Sequence, residues 1–324
     1  MIQFLGRRVI YSIVVLLLAS VVAFVGTRIA FDPTARLAQV RDPKVRIEER
    51  KRLGIDQPIV VQYGRWVSKF ARGDMGQTEV SRERVWPKLR KGLWFTIQLL
   101  VWGVLVSVIA ALIIGVYSAV RQYSVGDYVL TTFSFMGISI PPFWFAFIAI
   151  QVFVFTLPGL FGMKPWFYTF SGNLHSDGAS GINLDYFRHL FLPVLVLTVQ
   201  NIAGWSRYQR ASMLETLNAD YVRTARAKGV SEFRIIARHA VRNAVIPVIT
   251  LLGLQIAFLL GGSVIVETIF SIPGVGRLLV GAIGKRDYPI VQGIVVVIGL
   301  FVMVTNLVVD MSYGLLDPRI KMSG

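Results

Sequence analysis

The chain has 324 residues, of which 54% are hydrophobic and only 16% charged, and its formal net charge is +16. Soluble domains run nearer a quarter charged and disordered chains are poor in apolar residues, so the composition argues against a soluble enzyme and excludes a disordered chain. Without a cysteine there is no disulfide framework, thiolate metal site or cysteine nucleophile.

The apolar residues come in uncharged runs at 9–27, 93–120, 128–163, 190–206, 243–266 and 288–309. A helix needs roughly 17–25 apolar residues to cross the hydrocarbon of a bilayer, and in lipid a backbone must satisfy its own hydrogen bonds. The runs therefore predict an all-α membrane protein with six transmembrane helices. The longest run reads as one helix with an apolar extension, the helix ending near Pro158. Arg7 and Arg8 precede the first run, but its apolar stretch exceeds a signal-peptide core and no clear cleavage site follows, so an uncleaved span is expected. Arg7, Arg8, Arg121, the Arg-rich stretch between spans four and five, Arg319 and Lys321 all fall on one side, and the positive-inside rule makes that side, with both termini, cytoplasmic. The segment after Ala30 opposes this with 15 Lys+Arg against 8 Asp+Glu, yet long loops translocate largely regardless of charge. Because the basic excess is split between two sides it forms no nucleic-acid stripe. The expected organisation is 1–31 (N-terminus and first helix), 32–92 (an extracytoplasmic segment with short helices) and 93–324 (a five-helix core with a cytoplasmic loop at 207–242).

In the outer segment, Asp42 and Pro43 predict a charged helix ending at Gly54. A second helix is expected from Pro58, with Ile59, Tyr63, Trp66 and Phe70 on one face; the pattern serves equally for a helix in the membrane interface or one packed on the spans. In span two Gly103, Ser107, Ala111 and Gly115 recur every fourth residue, and in span five Gly253, Ala257 and Gly261 do so. Small side chains at this spacing let helix backbones approach closely, within the chain or against a partner. Pro141, Pro142, Pro193 and Pro247 mark breaks or kinks. No charged residue lies near a span centre, with Glu267 and Asp310 at span ends, which argues against an ion-driven secondary transporter.

Enzyme signatures are missing. Gly284-Lys285 has Leu279 five residues before it and Arg286 after it, so no Walker A loop forms there, and His175, His189 and His239 are scattered without a carboxylate pattern. The stretch 207–242 is organised instead. Ala219–Lys228 predicts a short helix, Gly229 a left-handed stop, and Ser231 the cap of a second helix with Phe233, Ile235, Ile236 and Val241 on its apolar side.

The run Tyr221-Val222-Arg223-Thr224-Ala225-Arg226-Ala227-Lys228-Gly229 resembles the EAA loop of ABC importer inner-membrane permeases, with Arg223-Thr224-Ala225 in place of EAA and His239-Ala240-Val241-Arg242 in place of I-x-L-P. Those departures match the branch that imports peptides and, in some members, nickel. Leu53-Gly54-Ile55-Asp56-Gln57-Pro58, Gly73-Asp74-Met75-Gly76, Glu267-Thr268-Ile269-Phe270-Ser271-Ile272-Pro273-Gly274-Val275-Gly276-Arg277 and Tyr313-Gly314-Leu315-Leu316-Asp317-Pro318-Arg319 are similar to the same branch, so the resemblance to oligopeptide/dipeptide permeases of the B type runs from end to end. It implies a type I ABC importer permease in the prokaryotic inner membrane, no catalysis by this chain, a homologous second permease, two ATPase domains that bind ATP and Mg, and an extracytoplasmic substrate-binding protein. It further implies that Arg223, Thr224, Ala225, Arg226, Ala227, Lys228, Gly229, Val230, Ser231 and Phe233 dock on an ATPase. Peptides are the implied cargo, with nickel, glutathione or another small solute as alternatives.

Overall fold

The computed structural model describes residues 2–30, 43–44, 47–48, 54, 56–169, 174–175 and 181–316, and among them only one isolated β-bridge, Gln77 with Arg84, interrupts the helical pattern. The helices are α1 (Ile2–Ala30), α2 (Ile59–Ala71), α3 (Val85–Val120), α4 (Val125–Ser139), α5 (Pro142–Leu160), α6 (Leu184–Leu217), α7 (Asp220–Ala227), α8 (residues 232–244), α9 (Ile246–Ile269), α10 (Val275–Gly284) and α11 (Tyr288–Leu316). Among the described residues, Gly6–Ala30, Val85–Val120, Pro142–Leu160, Leu184–Leu217 and Tyr288–Val308 are long and apolar enough to cross a membrane. The fifth predicted span is α9, of 24 residues.

The run 128–163 departs from its expected single helix. Ile140 (φ −94°, ψ 123°) and Pro141 (φ −58°, ψ 138°) are extended and split it into α4 and α5. Pro142 removes a backbone donor and forces its predecessor out of the helical region, and Pro141 does the same to Ile140. Beyond the break, α5 runs through a wide turn at Gln151–Thr156 and ends at Leu160, two residues past Pro158. The helix expected between Asp42 and Gly54 lies largely outside the described residues; 43–44 and 47–48 are helical and Gly54 has φ +66°.

The chain divides into two compact units. The first comprises Met1–Leu93, Leu278–Leu307 and Met322–Gly324. Here the aromatic face of α2 packs on α1: the Phe24 ring lies 5.6 Å from both Tyr63 and Trp66, and Ser20 and Tyr63 share a hydroxyl hydrogen bond of 2.8 Å. Of the two expectations for that face, packing on a span is what these residues do. Gln292 Nε2 donates to Thr27 Oγ1 at 2.7 Å and Gly299 faces Leu16, so α1 and α11 run antiparallel. Buried Asp287, just before α11, accepts a hydrogen bond from the Glu79 backbone N–H at 2.9 Å and ties down the turn that leads into α3.

The second unit, Trp94–Arg277 with Val308–Lys321, is built around α6, on which α4, α5 and α9 all pack. Asn183 caps α6 by accepting from the Tyr186 N–H at 2.9 Å, and Asp185 lies in its first turn, where the helix dipole favours an acid. Pro193 is inside α6 and does not end it. Helix α6 also continues through Arg207 and Arg210 to Leu217, so the first third of the expected loop 207–242 is helical extension, helped by Ala, Met, Leu and Glu residues that favour helix.

Candidate coupling site

The site lies at the end of α6. In the turn between α3 and α4, Ser124 accepts from the Asp127 N–H at 3.2 Å and caps α4. The Asp127 side chain, only 4% exposed, accepts from the Tyr123 N–H and from Arg210 Nη2, each at 3.0 Å, and from the Thr131 hydroxyl at 3.2 Å. Burial works against its charge, but the Tyr123 N–H and the Arg210 guanidinium prevail and hold the carboxyl below its ordinary value. This ion pair latches α6 to the start of α4.

After Leu217 the chain turns and forms α7. Val222 is fully buried while Arg223, Thr224, Arg226, Ala227 and Lys228 are exposed and Ala225 half-buried, giving a short helix with one apolar anchor and a basic outer face. At its end Gly229 has φ +75°. Its N–H donates to the Arg226 carbonyl at 3.0 Å and that of Val230 to the Ala225 carbonyl at 3.2 Å. These are the two bonds of a Schellman stop, which needs a left-handed residue and therefore favours glycine. Nothing lies within 4 Å of the place a Gly229 Cβ would occupy, so the backbone sign alone calls for glycine there.

Ser231 occupies the cap position of α8 with extended backbone, but its side chain makes no capping bond; the expected hydroxyl cap is absent and the Ser231 carbonyl takes the Ile235 N–H at 3.0 Å. The bend is closed by a two-point pair, Arg226 Nη2 to Glu232 Oε1 at 2.7 Å and Arg226 Nε to Glu232 Oε2 at 3.2 Å. That hydrogen bonding lowers the Glu232 carboxyl from its ordinary value. Both side chains are exposed, so solvent screens the pair and its value lies in orientation more than in stability.

The apolar side of α8 differs from the expected set. Ile235, Ala240 and Ala244 are fully buried, and Ala240 and Ala244 cluster with Met213 of α6 and Ala119 of α3, with Ile236 and Val241 against them. Phe233 does not join that side: it is 81% exposed beside the bend. The reason is register. Phe233 lies two positions before Ile235, across the helix, and the wide turn at Ile235–Ala240 then carries Ala240 and Ala244 round to the Ile235 side.

The small-residue seam of α3 faces α6. A Cβ on Gly103 would meet Leu197 Cδ1 at 3.0 Å, one on Gly115 would meet Gln209 Cβ at 2.6 Å and the Ser206 carbonyl oxygen at 2.8 Å, and Ser107 and Ala111 are fully buried. Gly253, Ala257 and Gly261 lie on α9, and their surroundings are outside the described residues.

The motif Glu267–Arg277 builds a node whose contacts the sequence does not show. Glu267, at the end of α9, is fully buried and accepts from Thr96 Oγ1 at 2.6 Å, Ser263 Oγ at 3.3 Å and the Arg277 N–H at 3.0 Å. Thr96 Oγ1 in turn accepts from the Val275 N–H at 2.9 Å, and Arg277 donates to the Ser271 carbonyl at 2.6 Å. A Cβ on Gly274 or Gly276 would run into the Glu267 carboxylate, so both glycines let the chain close over it. The spacing of Glu267, Gly274 and Gly276 was the available signal.

Residues 111–322 match the family described as the binding-protein-dependent transport system inner membrane component, and residues 1–114 match the N-terminal family of such membrane components. The chain is 37% identical to the oligopeptide transport system permease protein AppB of Bacillus subtilis (strain 168), over 99% of this chain and 100% of that one. It is 40% identical to the di/tripeptide transport system permease protein DppB of Pseudomonas aeruginosa (strain UCBPP-PA14), over 86% of each. It is 36% identical to the glutathione transport system permease protein GsiC of Escherichia coli (strain K12), over 99% of each.

Proposed function

The chain belongs to the family of binding-protein-dependent transport system inner membrane components, and on that premise we propose that it forms half of the translocation pathway of an ATP-driven peptide importer. A homologous second permease supplies the other half. Two cytoplasmic ATPase domains bind ATP and Mg and do the hydrolysis, and an extracytoplasmic binding protein delivers the cargo. The names of AppB and DppB support peptides as that cargo; GsiC carries a second reading, glutathione, itself a small peptide.

The observation that carries the coupling role is the 81% exposed Phe233 standing just past the left-handed bend at Gly229. An exposed aromatic ring that follows a short helix bearing exposed Arg223, Arg226 and Lys228 is suited to a groove on a partner, because it offers large contact area at little entropic cost and charges that set orientation. The bend rests on α8, α8 packs on the ends of α6 and α3, and α9 follows directly through Pro247 at its first turn. ATPase closure pushing on α7 is thereby passed to α6, on which α4, α5 and α9 pack, and biases the bundle between two openings.

The test is Gly229→Pro. Proline holds φ near −65° and cannot adopt the observed +75°. The variant inserts in the membrane and assembles, ATP hydrolysis continues, and uptake of radiolabelled peptide into proteoliposomes is lost. Uptake at the unaltered rate would refute the docking role.

A further inference from the structure

Within the first compact unit lies a cavity of about 900 Å³, inside the size range of small-molecule sites. Its lining includes Arg28, Arg65, Lys69, Arg72, Arg82 and Arg84. Against these six cations it has two carboxylates, Asp74 and Glu79. Among the described residues none of the six is in an ion pair. Like charges gathered round one concavity repel, and an anion in it relieves the repulsion.

Arg28 sets the depth of this cavity. It stands in the last turn of α1, at the end of the apolar stretch Gly6–Ala30. Among the described residues no acid pairs with it; its guanidinium carbon lies 5.4 Å from the Phe24 ring centroid and 5.5 Å from that of Tyr288, and its Nε is shielded without a hydrogen-bond partner there. Trp66, Trp86 and Tyr288 line the same cavity. Arginine at a span end with tryptophan and tyrosine round it marks the level of the lipid headgroups. Helix α2 supports this placement: Tyr63 and Trp66 seal it to α1 while Arg65, Lys69 and Arg72 stay exposed. The turn Gly73-Asp74-Met75-Gly76 completes the wall, with Gly73 and Gly76 both at positive φ and the Gly76 N–H bonded to Asp74 Oδ1 at 2.9 Å.

We propose that this cavity binds a phosphoryl anion, the phosphate-bearing headgroup of a membrane glycerophospholipid. Arginine suits the task because its planar fork of donors matches phosphate oxygens two at a time. The depth at Arg28 and the aromatic wall favour a headgroup whose acyl chains stay in the bilayer over a free ion. The bound headgroup would fix α2 against α1 in the membrane. The site is independent of the cargo and of the coupling loop.

The test uses the purified transporter complex containing the full chain, titrated with dihexanoylphosphatidylglycerol at low salt, reading Trp fluorescence and, by native mass spectrometry, lipid adducts. Parallel titrations with glycerol 3-phosphate and inorganic phosphate separate the sources. The expected result is one saturable lipid adduct that weakens with salt, and weakens about tenfold in the paired variant Arg65→Gln/Arg72→Gln through loss of charge-assisted bonds. Arg28→Gln is expected to do the same, and if it fails to assemble the exposed pair carries the test alone. Competition by inorganic phosphate would support the phosphoryl site with a free anion as a second source; its failure to compete would assign the site to lipid. Absence of a lipid adduct, equal binding by the paired variant, or loss of binding-protein affinity in that variant with lipid binding unchanged would each overturn the proposal.

Discussion

At Gly229 and at Gly274 the chain leaves one helix and enters another within a few residues, and both turns need glycine, yet for different reasons. Gly229 takes a left-handed φ of +75° with open space around it. Gly274 has no such φ; there a side chain would strike the buried carboxylate of Glu267. The first bend is held by its own backbone and by one screened ion pair, and it presents Phe233 and several cations outward. The second is held by a buried carboxylate, Glu267, bonded to the Arg277 N–H and to Thr96 from a distant segment, which in turn takes the Val275 N–H. A turn that spends long-range bonds on itself serves the fold. A turn that needs no support beyond its own segment and leaves an aromatic ring in water is free to meet another molecule.

This contrast is broken most directly by exchanging glycine for alanine at each turn. Gly274→Ala must displace a buried, fully bonded carboxylate and is expected to cost on the order of 3 kcal/mol, seen as a lower unfolding temperature of the purified complex. Gly229→Ala meets only backbone strain, about 1–2 kcal/mol. Equal losses at the two positions would erase the distinction. A sharper cut comes from Phe233→Ala, which should change stability by no more than about 0.5 kcal/mol because the ring touches solvent, while the number of peptides moved per ATP falls. If that ratio stays at the wild-type value, the ring has no part in docking.

The smallest effect concerns pH. The Glu232 carboxyl is lowered from its ordinary value by its hydrogen bonds with Arg226. A lowered folded-state value means that the pair's contribution is complete above the ordinary carboxylate range and disappears as pH falls through the lowered one. Wild type and Glu232→Gln should therefore differ slightly in coupling at neutral pH and converge in acid. A difference that grows on acidification has the wrong sign for this pair.

Much of the architecture was legible beforehand because it is local. Uncharged runs located the long helices, Pro58 and Pro247 located two helix starts, and Gly229 located the left-handed stop. The length of the run 128–163 predicts one helix despite the proline pair at 141–142, but two consecutive prolines constrain both their predecessors, which is enough to end a helix even in lipid. The faces were harder. Tyr63, Trp66 and Phe70 were aligned correctly, but whether they met lipid or protein depended on Phe24, some forty residues away. Sequence places Phe233 with Ile235, Ile236 and Val241 on one apolar side, whereas the wide turn at Ile235–Ala240 shifts the register and leaves Phe233 on the other.

Hydrophobic length, charge placement and turn residues, all properties of neighbouring positions, were enough to establish a helical membrane protein and the place of its basic loop, since a span and a Schellman stop are specified within one stretch of chain. Which side chains share a space was decided only by packing: the carboxylate of Glu267 under Gly274, Arg210 on Asp127, and the cations gathered round Arg28. Those groupings join residues from separate segments, and no pattern within any one segment contains the distance between them.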